Sequence, residues 1–82
     1  MDRELEELIK TINKKRAKFM EEYLEIPNAI EINGEMYTKL LYYYGLTSKD
    51  NVSKIYGMDI LLSSLVKDSN DIQCYFIKGV DN

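Results

Sequence analysis

The stretch EINGEMYTKLLYYYGL, residues 31–46, decides the fold because it admits two incompatible readings. Asn33-Gly34 is a strong hairpin signal, and a hairpin would require the residues after it to alternate apolar and polar. That alternation fails, because Leu40-Leu41 and the triplet Tyr42-Tyr43-Tyr44 break a period of two. Tyr37, Leu40, Leu41 and Tyr44 instead recur at i, i+3, i+4 and i+7, and Gly45 stands where a helix is capped. The spacing predicts a helix over 34–44. Asn33 then serves as its N-cap, the side-chain oxygen accepting a free backbone N–H of the first turn.

Upstream, Ala29-Ile30-Glu31-Ile32 alternates directly after Pro27-Asn28 and reads as a short strand. Residues 2 to about 25 read as one long amphipathic helix, with Leu5, Leu8, Ile9, Ile12, Phe19, Met20 and Tyr23 on one face. Asp2, Glu4, Glu6 and Glu7 complement the positive end of its dipole, and Pro27 forbids its continuation. Downstream, 46–51 is a polar loop, and a strand is expected from Val52 with Tyr56, Met58, Ile60 and Leu62 on one face and a bend or bulge at Gly57. The turn cluster 67–71 leads into a strand over 72–77, in which Ile72, Cys74 and Phe76 alternate against Gln73, Tyr75 and Ile77. These last two strands are expected to pair as an antiparallel hairpin. The expected architecture is a single α+β domain over 1–82, in the order α-β-α-β-β. Its long helix packs on a small, mainly antiparallel three-stranded sheet, and the strand-helix-strand-strand part occupies about 28–78.

A chain of 82 residues hides only roughly 60–65% of its unfolded surface, so its core is small and an oligomer or partner would add to it. Apolar residues at 45% and charged residues at 30% place it among ordinary globular chains rather than disordered ones. A net charge of −3 argues for no nucleic-acid partner by itself. The single cysteine, Cys74, excludes an internal disulfide and fits a reducing compartment. The acidic start is unlike a signal peptide and no apolar run approaches a membrane span, so the expected location is the cytoplasm, with no membrane partner. With no histidine, no phosphate-binding glycine loop and no metal-ligand spacing, the expectation is a non-enzymatic protein without cofactor or metal.

The candidate interaction residues follow from charge and from helical position. Lys14, Lys15, Arg16 and Lys18 form the one strongly basic stretch, which reads either as a solvated helix face or as a contact for phosphates or an acidic protein. Glu6, Glu7, Glu21, Glu22 and Glu25 flank it and partly cancel its field. Arg16 differs from the rest because it falls inside the apolar stripe between Ile12 and Phe19. Either its stem packs and its guanidinium reaches water, or it pairs with a carboxylate across an interface. In the tyrosine triplet, Tyr44 belongs with the buried set, Tyr43 lies on the flank, and Tyr42 lies nearly opposite the core beside Lys39. An exposed tyrosine of this kind is frequent at binding hot spots. Tyr75, on the strand face opposite Cys74, is a further candidate for the same patch.

Residues 27–77 carry Pro27-Asn28-Ala29-Ile30-Glu31-Ile32, then Tyr37, Leu40-Leu41 and Gly45, then Ile55-Tyr56-Gly57-Met58-Asp59-Ile60 and Ser63-Ser64. This succession resembles a strand-helix-strand-strand segment of tailed-phage and prophage proteins, major capsid proteins among them. It departs from them in lacking the rest of a capsid fold, and in carrying Asp59 where a proline usually follows the glycine. No functional residue is carried over. The resemblance implies a phage-encoded α+β module that works by contact, in the cytoplasm of a bacterial host. Small size, the missing catalytic groups and the Tyr42 and Arg16 surfaces add the expectation of stoichiometric binding to a host or phage protein, for example as an inhibitor of a bacterial defence system such as an anti-CRISPR. Three other expectations stand beside it: a virion assembly component, a nucleic-acid or signalling-nucleotide binder, and a homodimer.

Overall fold

In the computed structural model, residues 3–46 and 52–78 are described. The chain runs α1 (Arg3–Tyr23), β1 (Ala29–Ile32), α2 (Gly34–Tyr43), β2 (Lys54–Ile55), β3 (Met58–Leu62), a 3-10 turn (Ser69–Asp71) and β4 (Gln73–Tyr75). Asp2, the expected first helical residue, and 47–51 of the expected loop lie outside the described residues.

Asn33 settles the opening ambiguity in favour of the helix. Its backbone is extended, its Oδ1 accepts the Met36 N–H at 2.8 Å, and its carbonyl accepts the Tyr37 N–H at 3.0 Å. Its Nδ2 donates to the Val66 carbonyl at 3.0 Å, so one side chain both starts α2 and anchors the segment that follows β3. At the other end Leu46 N–H reaches the Leu41 carbonyl at 2.8 Å and Gly45 N–H reaches that of Tyr42 at 3.0 Å. These paired bonds require a left-handed residue at the reversal, and Gly45 supplies it with φ +71°.

The sheet has four strands in the order β2-β3-β1-β4. β1 runs parallel to β3, with Ile30 beside Ile60, and antiparallel to β4, with Ile30 beside Cys74. Parallel neighbours cannot be joined by a tight turn, and α2 forms the crossover between them. The expected hairpin between 52–62 and 72–77 is therefore absent, because β1 lies between the two. Nor is 52–62 a single strand with a bulge. Tyr56 and Gly57 both adopt positive φ, 50° and 79°, which reverses the chain in two residues and folds Lys54-Ile55 back onto Met58-Asp59. The extra strand is β2, and the sheet is mixed; the α+β class stands.

Both helices cover one face of the sheet. Leu5, Leu8 and Ile12 of α1 and Met36 and Leu40 of α2 pack with Ile30, Ile32, Ile55, Met58, Val66 and Ile72 in one cluster. Complete burial of an Ile or Leu side chain is worth roughly 1.5–3 kcal/mol, so this cluster is the main source of stability. The opposite face carries Lys54, Asp59, Ala29 and Tyr75 in one row and Leu61, Glu31 and Gln73 in the next. Lys54 and Asp59 form an ion pair at 3.4 Å, and the Tyr75 hydroxyl lies 2.9 Å from Gln73 Oε1 and 3.3 Å from Glu31 Oε1.

The apolar stripe of α1 is buried only over its first half. Phe19 and Met20 are half-buried, Tyr23 is exposed, and the helix stops at Tyr23 rather than at Glu25. Leu24 ends it in left-handed conformation, φ 55°, donating to the Met20 carbonyl at 2.9 Å while 88% of its surface stays exposed. A side chain in that conformation costs roughly 1–2 kcal/mol, and this one recovers little by burial.

Two stability outcomes follow. Asn33→Ala removes a cap and a bridging hydrogen bond and should lower the unfolding free energy by about 2 kcal/mol, with Asn33→Ser, which keeps the cap acceptor, falling between it and the wild type. Leu24→Gly should raise the unfolding free energy by about 1 kcal/mol. Urea denaturation followed by circular dichroism measures both.

Candidate functional site

The basic residues of α1 divide in two. At about 100° per residue Lys14, Lys18 and Lys15 fall within one arc of the helix, whereas Arg16 points away from them. Lys14 is exposed, Lys15 Nζ donates to the Asn70 carbonyl at 3.1 Å, and Lys18 lies 3.9 Å from Glu22. Lys39 ties the two helices together, 2.8 Å from Glu4 and 3.9 Å from Glu35 of its own helix. Arg16 stands apart: it is half-buried, and its Nε is enclosed with no hydrogen-bond partner. A buried donor left unpaired carries a desolvation penalty, so this position is unsatisfied in the chain alone.

Arg16 is near enough to Cys74 to act on its thiol. Burial pushes the thiol pKa up, and the positive charges of Arg16 and Lys15 pull it down by less. The Sγ lies 3.8 Å from Met58 Sδ against the core, so Cys74 is a protonated, packed thiol rather than an activated one.

The tyrosines are divided between two faces. Tyr42 is 78% exposed on α2. Tyr43 and Tyr44 are partly exposed, with ring centroids 5.2 Å apart in edge-on contact. Partial burial raises the Tyr44 pKa, and the neighbouring Tyr56 and Tyr43 hydroxyls raise it further. Tyr56, at the β2–β3 reversal, therefore joins Tyr43 and Tyr44 in a tyrosine surface at the end of α2, a member that periodicity missed. The Tyr-Gly pair at 56–57 was the available signal, since Gly57 marks the reversal that carries the ring there. Tyr37 is internal to the fold, its hydroxyl accepting the Val52 N–H at 2.9 Å. Tyr75 does not join the group: it lies on the outer face of the sheet, and α2 covers the inner one.

A second surface lies where the end of α1 passes over β4. Phe19, Tyr23 and Glu25 on one side and Cys74, Tyr75 and Phe76 on the other line a shallow groove. The Phe19 and Tyr23 rings stack obliquely with centroids 4.7 Å apart. Leu24, Ile26 and Ile77 add exposed apolar surface at the same end of the chain's layers.

Among the described residues no helix is long and apolar enough to cross a membrane, and no three His, Cys, Asp or Glu side chains converge as a metal site would require. Comparison with known protein families, curated proteins and solved structures finds no match to this chain.

The thiol supplies a test of the groove's electrostatics. Only the thiolate reacts with iodoacetamide, so a raised pKa moves the pH–rate curve to higher pH. Cys74 should alkylate more slowly than N-acetylcysteine at pH 8, with its midpoint above that of the free thiol. Arg16→Met, which removes a cation that favours the thiolate, should shift the midpoint higher still.

Proposed function

We infer that this chain is a non-enzymatic protein that acts by stoichiometric contact with another protein. The observation that carries the inference is the tyrosine surface at the end of α2. A fold with a small core leaves Tyr43, Tyr44 and Tyr56 clustered and partly exposed at the end of the helix that also carries the exposed Tyr42, and holds Tyr56 there at the cost of a left-handed backbone. Tyrosine offers a large, stiff contact area with a hydroxyl at its tip, which is why it is enriched at protein interfaces and their hot spots. The finer reading follows the resemblance of residues 27–77: a phage or prophage product that binds a host or phage protein, as an inhibitor of a bacterial defence system would. The engagement of Lys15 with the Asn70 carbonyl and of Lys18 with Glu22 favours this over a continuous nucleic-acid track.

Tagged chain purified from a bacterium carrying an active defence system, followed by light scattering, should yield a complex of fixed small-integer stoichiometry. Its expression there should raise the plating efficiency of phage. Tyr42→Ala should weaken the complex by roughly 2 kcal/mol, about 30-fold in Kd. A complex indifferent to alanine at both Tyr42 and Tyr44 would remove the tyrosine surface from the account. A large closed ring would replace it with a virion role, and bound material absorbing at 260 nm with a nucleotide or nucleic-acid ligand.

A further inference from the structure

Among the described residues the edge of the sheet at β4 is open, and the register shows which of its backbone groups are unused. The Asn28 and Ile32 carbonyls accept from Asp59 and Ser63, so the even-numbered residues of β1 turn toward β3. Ala29 and Glu31 therefore turn toward β4, where they meet Tyr75 and Gln73. Between those two, Cys74 directs its own N–H and C=O away from β1. No described strand lies on that side.

Directly above this edge runs the half of α1 whose stripe the core does not cover. Arg16, Phe19 and Tyr23 lie along it, and Phe19 and Tyr23 share the groove with Cys74 and Phe76. An open strand edge and an uncovered helix stripe in the same place leave room for one more strand. That strand would pair with Cys74, and its inward side chains would meet Phe19, Phe76 and Arg16.

The geometry points to an extended acidic segment of a partner protein as the occupant, added to β4 as a fifth strand with a carboxylate set against the Arg16 guanidinium. The charges decide between this and a second copy of the chain. Two β4 strands paired antiparallel about Cys74 would bring both Arg16 side chains, and both Lys15, toward one axis, where like charges repel. An acidic strand instead supplies a counter-charge for the half-buried Arg16 guanidinium, whose enclosed Nε finds no partner among the described residues. The one carboxylate lining the groove, Glu25, lies past the end of α1, nine residues along the chain from Arg16. Backbone pairing gives such a complex affinity, and the alternate side chains give it selectivity. The inference rests on the chain being a protein-binding module, but not on the tyrosine surface, so the two can fail separately.

The test selects random twelve-residue peptides displayed on phage against the full 82-residue chain and measures labelled synthetic copies by fluorescence anisotropy. The expected peptides are strand formers with Asp or Glu between apolar residues. Arg16→Met should weaken them about tenfold, the loss expected from one charge-assisted hydrogen bond. Cys74→Pro removes an N–H that faces away from β1 and should abolish binding while circular dichroism shows the fold retained. Should that variant unfold, the Arg16→Met result decides alone. Tyr42→Ala should leave peptide affinity unchanged. Recovery of no peptide, or of peptides indifferent to Arg16→Met, overturns the inference, as does loss of binding in Tyr42→Ala alone. So does displacement of the peptide by a twenty-residue oligonucleotide, or by self-association of the chain as its concentration rises.

Discussion

The fold depends on what Asn33 does with one side chain. By accepting the Met36 N–H it ends β1 and begins a helix where the sequence could have turned back as a hairpin. A hairpin there would place the next strand antiparallel beside β1. A helix instead carries the chain across the layer, so that β3 returns parallel to β1 and β4 takes the remaining side. The bond from Nδ2 to the Val66 carbonyl ties the same residue to the segment after β3. Local capping and sheet topology are thus set by one amide group, and the position of the open edge at β4 follows.

The two candidate surfaces have different physical origins. The tyrosine surface arises at the end of α2, where a helix offers three consecutive side chains to three directions and can bury at most some of them. The two-residue reversal at Tyr56-Gly57 then adds a fourth ring. The groove at β4 arises from a mismatch of lengths: α1 extends its apolar stripe through Tyr23, whereas the cluster beneath it takes up only Leu5, Leu8 and Ile12. Arg16 falls at the boundary between covered and uncovered stripe, which accounts for its enclosed but unpaired Nε.

Features set by contacts near in sequence were legible before the structure. The helix over 34–44, its cap at Asn33, its stop at Gly45, the short strand 29–32 and the α+β class all follow from spacing and turn chemistry within a few residues. The inward alternation of Ile72 and Cys74 was readable in the same way. Strand neighbours were not, because pairing depends on which side of β1 a distant segment settles, and alternation carries no such information. Gly57 illustrates the limit: its presence marked a disturbance, but only the positive φ of Tyr56 beside it distinguishes a full reversal from a bulge. For the sites, the exposure of Tyr42 and the oddity of Arg16 were visible on a helical wheel. The roles of Lys39 and Lys15 and the separation of Tyr75 from the other tyrosines depended on tertiary placement.

The central claim is that β1 is an interior strand and β4 an open edge. Residue-resolved amide hydrogen exchange of the free protein tests it most directly, because only paired amides are protected. The account predicts slow exchange for Ile30, Glu31 and Ile32 alike, and alternation along β4, slow at Gln73 and Tyr75 and fast at Cys74. Alternation along β1 combined with uniform protection of 73–75 would contradict it, since β1 would then be the edge and the strand order would be wrong.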